Sequence, residues 1–324
     1  MNKTSYAVFI LIVIINFLSA QTEIKAVNLQ SGHSADSGKI KVILDTDIGD
    51  DIDDAWALGF VLQSERFEPL GITIAHKNTP ARAKIACKIL YKTGRKDLPV
   101  AVGRKTADNY SYQFSWAEDF DKLKPVKESA ADFIVRMVRK YPGQVVLLAV
   151  GPLENIADAL RKEPNLPKLV KRVVLMSGNI YSSVWSPAPI AEWNVAQSVK
   201  DAQLVYGAGL PLTIVPLDAT TYITLKESER NKVRKRNSPL ARSLECLYRL
   251  WIQSPQTKMT LHDQLAAAEA AEPGKFFHKI EELKLLVDDK GFTKIDNKKG
   301  KTVKVCFQPK RDEFMKYYID VLLK

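Results

Sequence analysis

Six aspartates crowd into ten residues near the start of the chain: Asp45, Asp47, Asp50, Asp51, Asp53 and Asp54. Capping of a helix N-terminus uses one or two carboxylates, because an acid there satisfies orphan N–H groups and complements the dipole. Six acids this close repel one another unless a cation neutralises them. Clustered hard oxygen ligands suit Ca²⁺ or Mg²⁺. The run is not an EF-hand loop, since it lacks the terminal Glu at the right spacing and follows a strand-like segment. No Cys/His spacing points to zinc.

The elements around the acids can be read from apolar periodicity. Val42, Ile43 and Leu44 form the short continuous run of a buried strand. Gly49 permits a tight turn. Ala55, Ala57, Leu58, Val61 and Leu62 then fit one face of a helix. The acids therefore sit at the carboxyl end of a strand, the edge where open α/β sheets bind ligands.

The alternation continues along the chain. Strands are expected at 69–75, 99–102, 144–150, 171–176 and 211–216. Helices are expected at 80–91, 127–140, from after Asn155 to about 161, and at 196–206, 226–237, 240–252 and 262–271. Thr79 reads as the cap of the first of these, with Pro80 at its first position. Residues 283–288 and 302–307 flank a Lys/Gly/Asn-rich turn and read as a hairpin, and a helix over 312–323 closes the chain. Strand–helix repetition implies an α/β fold: an open, doubly wound, mostly parallel sheet with right-handed crossovers. Polar residues recur at the strand ends (Asp45, Asp47, Asn78, Glu154, Asn155, Asn179 and Asp218), and this architecture brings such ends to one rim. Glu192 and Asn194 follow a strand by a loop. His262-Asp263 opens a helix, which places Asp263 at that helix's mouth.

Five of these segments, in this order, resemble the inosine–uridine preferring nucleoside hydrolases: Asp45-Thr46-Asp47 with Asp53-Asp54-Ala55; Asn78 after Gly-Ile-Thr-Ile; Gly151-Pro152-Leu153-Glu154-Asn155; Ala191-Glu192-Trp193-Asn194; and His262-Asp263-Gln264-Leu265-Ala266. The resemblance spans essentially the whole chain after the leader. It implies Ca²⁺-dependent hydrolysis of the N-glycosidic bond of ribonucleosides to free base and ribose. In that family Ca²⁺ is held by carboxylates and one backbone carbonyl, and it also takes the ribose 2′- and 3′-hydroxyls and a water. Carried over, the carboxylate ligands are Asp47, Asp54 and Asp263, and the carbonyl is that of Glu154. Asp53 is then the general base, His262 the acid near the leaving base, and Asn78, Glu192 and Asn194 hold the ribose. The chemistry suits these residue types: cleavage passes through an oxocarbenium-like sugar, a carboxylate takes the proton of the attacking water, and histidine titrates near neutrality.

The sequence departs from the family pattern in places. Ile48 stands where the family has proline, and two extra residues enlarge the acidic turn, so Asp50 or Asp51 could join the cation. Glu154 stands where the family often has Thr. The family's further base-binding histidine has no match in 103–125, which leaves base preference open. Another N-riboside, such as nicotinamide riboside, or a non-catalytic nucleoside binder remain alternative readings. Two long irregular stretches, 103–125 and 180–189, carry aromatic residues. Segments of this length are usually functional, and each could cover the substrate or pack as a satellite cluster.

Composition bounds the rest. Residues 1–20 read as a secretory signal: Lys3, a twelve-residue apolar core and Ser19-Ala20 before the cleavage point. An exported, periplasmic or secreted protein without a stable membrane anchor is expected. Residues 21–39 read as a flexible lead-in, and 40–324 as one domain of about 285 residues. Net charge is +11, but the basic runs at 226–236 and 294–304 lack interleaved aromatics, so nucleic acid is not an expected partner. The expected partner is a small ribonucleoside, with homo-oligomerisation open. Cys87, Cys246 and Cys306 form no close pair and read as buried free thiols.

Overall fold

The structure is a computed structural model that describes residues 38–252 and 257–324. The expected signal segment lies outside the described residues, as does nearly all of the lead-in. Residues 39–324 form one compact unit. The elements, in chain order, are β1 (Ile40–Thr46), α1 (Asp53–Gln63), β2 (Phe67–Ile74), α2 (Thr79–Lys92), β3 (Val100–Val102), α3 (Ala130–Lys140), β4 (Val146–Ala149), α4 (Glu154–Lys162), α5 (Leu166–Leu169), β5 (Arg172–Met176), α6 (Trp193–Gln197), α7 (Val199–Gly207), β6 (Leu212–Val215), α8 (Leu217–Thr220), α9 (Glu227–Arg236), α10 (Pro239–Trp251), α11 (His262–Ala271), β7 (Phe277–Val287), β8 (Thr293–Ile295), β9 (Lys301–Pro309) and α12 (Arg311–Leu322).

Nine strands form one sheet in the order β3-β2-β1-β4-β5-β6-β9-β7-β8. The first six pair in parallel, as the strand–helix alternation requires. β1 shows why its sequence is apolar throughout. Val42 and Leu44 face one layer, built with α1, α2, α10, α11 and α12, while Ile43 faces the other, built with α3, α4 and α7. A central parallel strand is covered on both faces, so period-two alternation of side chains exposes none of them.

Two local expectations are corrected and one, the hairpin, is extended. The helix expected at 196–206 is two helices, α6 and α7, broken at Ser198. The C-terminal hairpin is built into the sheet: β9 pairs antiparallel with β7 and parallel with β6, and β8 adds a third strand. Val303, Val305 and Phe307 are buried on alternate positions of β9, and that stripe holds it against the sheet. Cys87 and Cys306 are buried free thiols, but Cys246 is exposed. Among the described residues, no helix is long and apolar enough to cross a membrane.

Candidate active site

Two helices begin at the same place. α1 carries Asp53 and Asp54 in its first turn, and α11 carries Asp263 in its own. Ligand atoms of these three carboxylates all lie within 4.8 Å of one another, and all three residues are buried. The Asp263 N–H donates to Asp53 Oδ2 (3.4 Å) and Gln264 Nε2 donates to the Asp53 carbonyl (2.6 Å), tying the helices together. α11 can approach this closely because it is Ala-rich and buried on every side. Thr46 Oγ1 donates to Asp54 Oδ1, so the end of β1 orients the second acid.

The cluster opens into a cavity of about 420 Å³. Asp47, Asp50, Asp51, Asp53, Asp54, Glu192, Asn194, His262 and Asp263 line it, together with Trp185 and Trp193. Most residues singled out from sequence thus converge. Asn194 Nδ2 donates to the carbonyls of Val150 (2.9 Å) and Met176 (3.1 Å), which locks it between two strand ends and leaves its oxygen available. Glu192 caps α6, accepting from Asn194 N (2.8 Å), Val195 N (3.2 Å) and Gly178 N (3.0 Å).

One residue is placed elsewhere, and one side chain whose backbone carbonyl is the expected ligand turns away. Asn78, rather than Thr79, caps α2: its side chain accepts from Ala81 N at 3.2 Å and donates to the Asp108 carbonyl at 2.8 Å, away from the cavity lining. The Glu154 side chain points to His76 instead of the cavity, accepting the His76 N–H at 2.9 Å.

Electrostatics argue for a cation. Burial first, then repulsion from neighbouring carboxylates, pushes Asp53, Asp54 and Asp263 well above the ordinary carboxylate range. Burial also raises Asp47, opposed by Arg82 and then His76. Glu192 is pushed up to about 7 by burial despite its three N–H donors. A set of buried, mutually repelling oxygen donors fits a hard divalent ion. His262 is pushed down to about 4 by burial, and its Nδ1 lies 2.8 Å from Thr220 Oγ1.

Comparison with known proteins decides the family. The profile described as inosine-uridine preferring nucleoside hydrolase matches residues 42–316. The chain belongs to that family. It is similar to uridine nucleosidase 1 of Arabidopsis thaliana (28% identity, covering 74% of this chain and 76% of that protein). It is also similar to the pyrimidine-specific ribonucleoside hydrolase RihA of Shewanella woodyi (30% identity, 72% and 80%). Among solved structures it is similar to a purine-preferring ribonucleoside hydrolase from Gardnerella vaginalis (TM-score 0.75, 26% identity, 87% and 98%). The chain is a nucleoside hydrolase, an N-glycosidase acting on ribonucleosides, and its acidic cluster is the candidate for the metal on which the family depends.

In this nucleoside hydrolase the enlarged turn is held from outside. Asp50 Oδ2 receives both Lys77 Nζ and Arg82 Nη2 at 2.7 Å, and Arg82 also donates to the Asp47 and Ile48 carbonyls. Asp51 accepts from Ile52 N at 2.6 Å and stays on the cavity wall. Neither belongs to the close triad of Asp53, Asp54 and Asp263. The stretch 103–125 backs this turn: Gln113 Nε2 donates to the Asp51 carbonyl at 2.9 Å. The stretch 180–189 instead supplies Trp185, whose ring meets that of His262 at 5.3 Å. Asp218 holds that stretch, accepting from Asn179 Nδ2 (2.7 Å), Ile180 N (2.7 Å) and Tyr181 N (2.6 Å).

Sequence reasoning missed Arg82 and Thr220, and gave Gln264 no role beyond its place in a motif. Arg82 had a readable signal, since it interrupts the apolar face of α2 and is nevertheless buried.

Proposed function

We propose that the protein is a Ca²⁺-dependent ribonucleoside hydrolase releasing free base and ribose. One observation carries this reading: the lining of one cavity includes the Asp53–Asp54–Asp263 triad, the sugar-binding candidates Glu192 and Asn194, and His262. Asp47, Asp54 and Asp263, with the Glu154 carbonyl, would hold the cation. When bound, it supplies a positive centre that acidifies water and grips a diol.

The chain's own groups then divide the work. Asp53 takes the proton of the attacking water. Asn194 and Glu192 bind ribose hydroxyls, and such bonds strengthen as positive charge develops on the ring. The water oxygen bonds to C1′, the C1′–N bond breaks, and the electron pair leaves with the base. His262 is neutral above about pH 5, since burial holds it near 4. With Thr220 on Nδ1, its other nitrogen meets the departing base as a hydrogen-bond donor. Asn78, capping its helix, has its amide committed and is the weakest of the ribose candidates.

The relatives' names favour uridine as the first substrate to try. The test is incubation of purified protein with pyrimidine and purine ribonucleosides, with added Ca²⁺ and with chelator. Base release that chelator stops and Ca²⁺ restores is expected. No release from any ribonucleoside would reject the reading. Export remains our proposal from the apolar segment at 7–18, testable by signal cleavage after residue 20.

A further inference from the structure

The strand ends of β2, β1 and β4 stand side by side, with β1 in the middle. β2 and β4 therefore do not pair. Yet the residues that follow them meet: His76 Nδ1 lies 3.3 Å from Glu154 Oε1, and Glu154 Oε2 accepts the His76 backbone N–H at 2.9 Å. This contact crosses the end of β1, where Asp47 stands. Gly151, on the route from β4 to Glu154, is so close that a Cβ there would lie 2.7 Å from Asp47 Oδ1 and 2.9 Å from its backbone nitrogen.

The bridge is built at a cost. His76 has a φ of 66°, a left-handed conformation unusual for a residue other than glycine. Both side chains are buried, and His76 Nε2 has no hydrogen-bond partner among the described residues. Strained conformations and unpaired buried nitrogens persist when the surroundings hold them for a purpose. The carboxylate grips the residue twice, by backbone and by ring, so ring orientation is fixed and one nitrogen is left over. Neither side chain lines the cavity.

We propose that His76 and Glu154 form a positioning clamp across the end of β1 that fixes the Gly151–Glu154 turn against Asp47, and through it holds the Asp47 carboxylate in the orientation the cation requires. The inference rests on the reading of Asp47 as a cation ligand. His76 is a positioning residue and touches no reacting atom. Outer partners that orient metal ligands typically change metal affinity 10–100-fold when removed.

The test uses the full chain stripped with chelator, titrated with Ca²⁺ by calorimetry and then assayed with uridine. His76→Asn suits the left-handed backbone, since Asn tolerates it best after glycine. Glu154→Ala removes the grip but leaves the backbone carbonyl in place. Both variants should bind Ca²⁺ roughly 10–100-fold more weakly. At saturating Ca²⁺ they should lose kcat with little change in KM. Glu154→Gln, which keeps an acceptor for the His76 N–H, should recover part of the loss. Folded variants that bind Ca²⁺ within about twofold of the parent would overturn the clamp. A parent that binds Ca²⁺ but releases no base removes the hydrolase reading and leaves the affinity test of the clamp intact. A parent that binds no Ca²⁺ removes both.

Discussion

The Asp263 backbone N–H donates to the Asp53 carboxylate at 3.4 Å, although the two lie 210 positions apart in sequence. The contact places the mouth of α11 on the mouth of α1, so an acid from each helix faces the same point. Replacing Asp263 by Ala should abolish base release. It should weaken Ca²⁺ binding by more than the roughly 10–100-fold typical of an outer partner. Calorimetric titration decides it, and unchanged affinity in a folded variant would remove Asp263 from the ligand set.

On the proposed reading Asp53 and Asp54, neighbours in sequence, do different work. Asp53→Asn should lower kcat by roughly 10²–10⁴-fold, the usual worth of a general base, while Ca²⁺ still binds. Asp54→Asn should lose the cation along with activity. Equal loss of Ca²⁺ in both variants would make Asp53 a ligand instead of the base.

Trp185 is 57% exposed yet packs on His262. Its removal should therefore spare the fold and cost substrate contact. For Trp185→Ala we expect a KM for uridine raised roughly 3–10-fold, the scale of one aromatic contact, with an unchanged unfolding midpoint. Tyr112→Ala, in the stretch that backs the acidic turn, should leave KM alone. The reverse pattern would make 103–125 the substrate cover.

Burial lifts Asp45 from 3.8 to about 7. Between those values the folded chain keeps a proton that the unfolded chain has released. This contribution to stability is complete below the unfolded value and disappears as pH rises through the folded one. In chelator, the parent should lose more stability from pH 5 to pH 8 than Asp45→Asn, by roughly 3 kcal/mol at most. Urea unfolding of both chains at the two pH values measures the difference. Parallel losses would show that Asp45 does not titrate there.

Much of this was readable because periodicity and strand-end chemistry are local. Val42–Leu44 followed by acids and a helix announces a parallel strand with a site at its end, and Asp263 could be found from its place in α11. What was hidden depends on packing between distant elements. Nothing near His76 reveals that it reaches Glu154 across β1, and the Lys77 and Arg82 grip on Asp50 exists only once α2 lies beside the turn. Asn78 could be read two ways because an Asx cap and a sugar ligand look alike in sequence, and the structure shows the cap. Ser198 gave no warning that it would split α6 from α7. The hairpin's docking on β6 needed the buried stripe of β9 to be seen against its neighbour.

The molecule presents opposite signs to the solvent and to its guest. The whole chain carries +11, while the cavity wall holds seven carboxylates and no lysine or arginine. With the cation in place two of those charges are offset and Asp50 is paired with Lys77 and Arg82, and the acids left over still disfavour a phosphate, which brings further negative charge. An uncharged sugar–base compound meets no such barrier, so on the proposed reading the acids that would hold the cation should also act as a sieve against nucleotides.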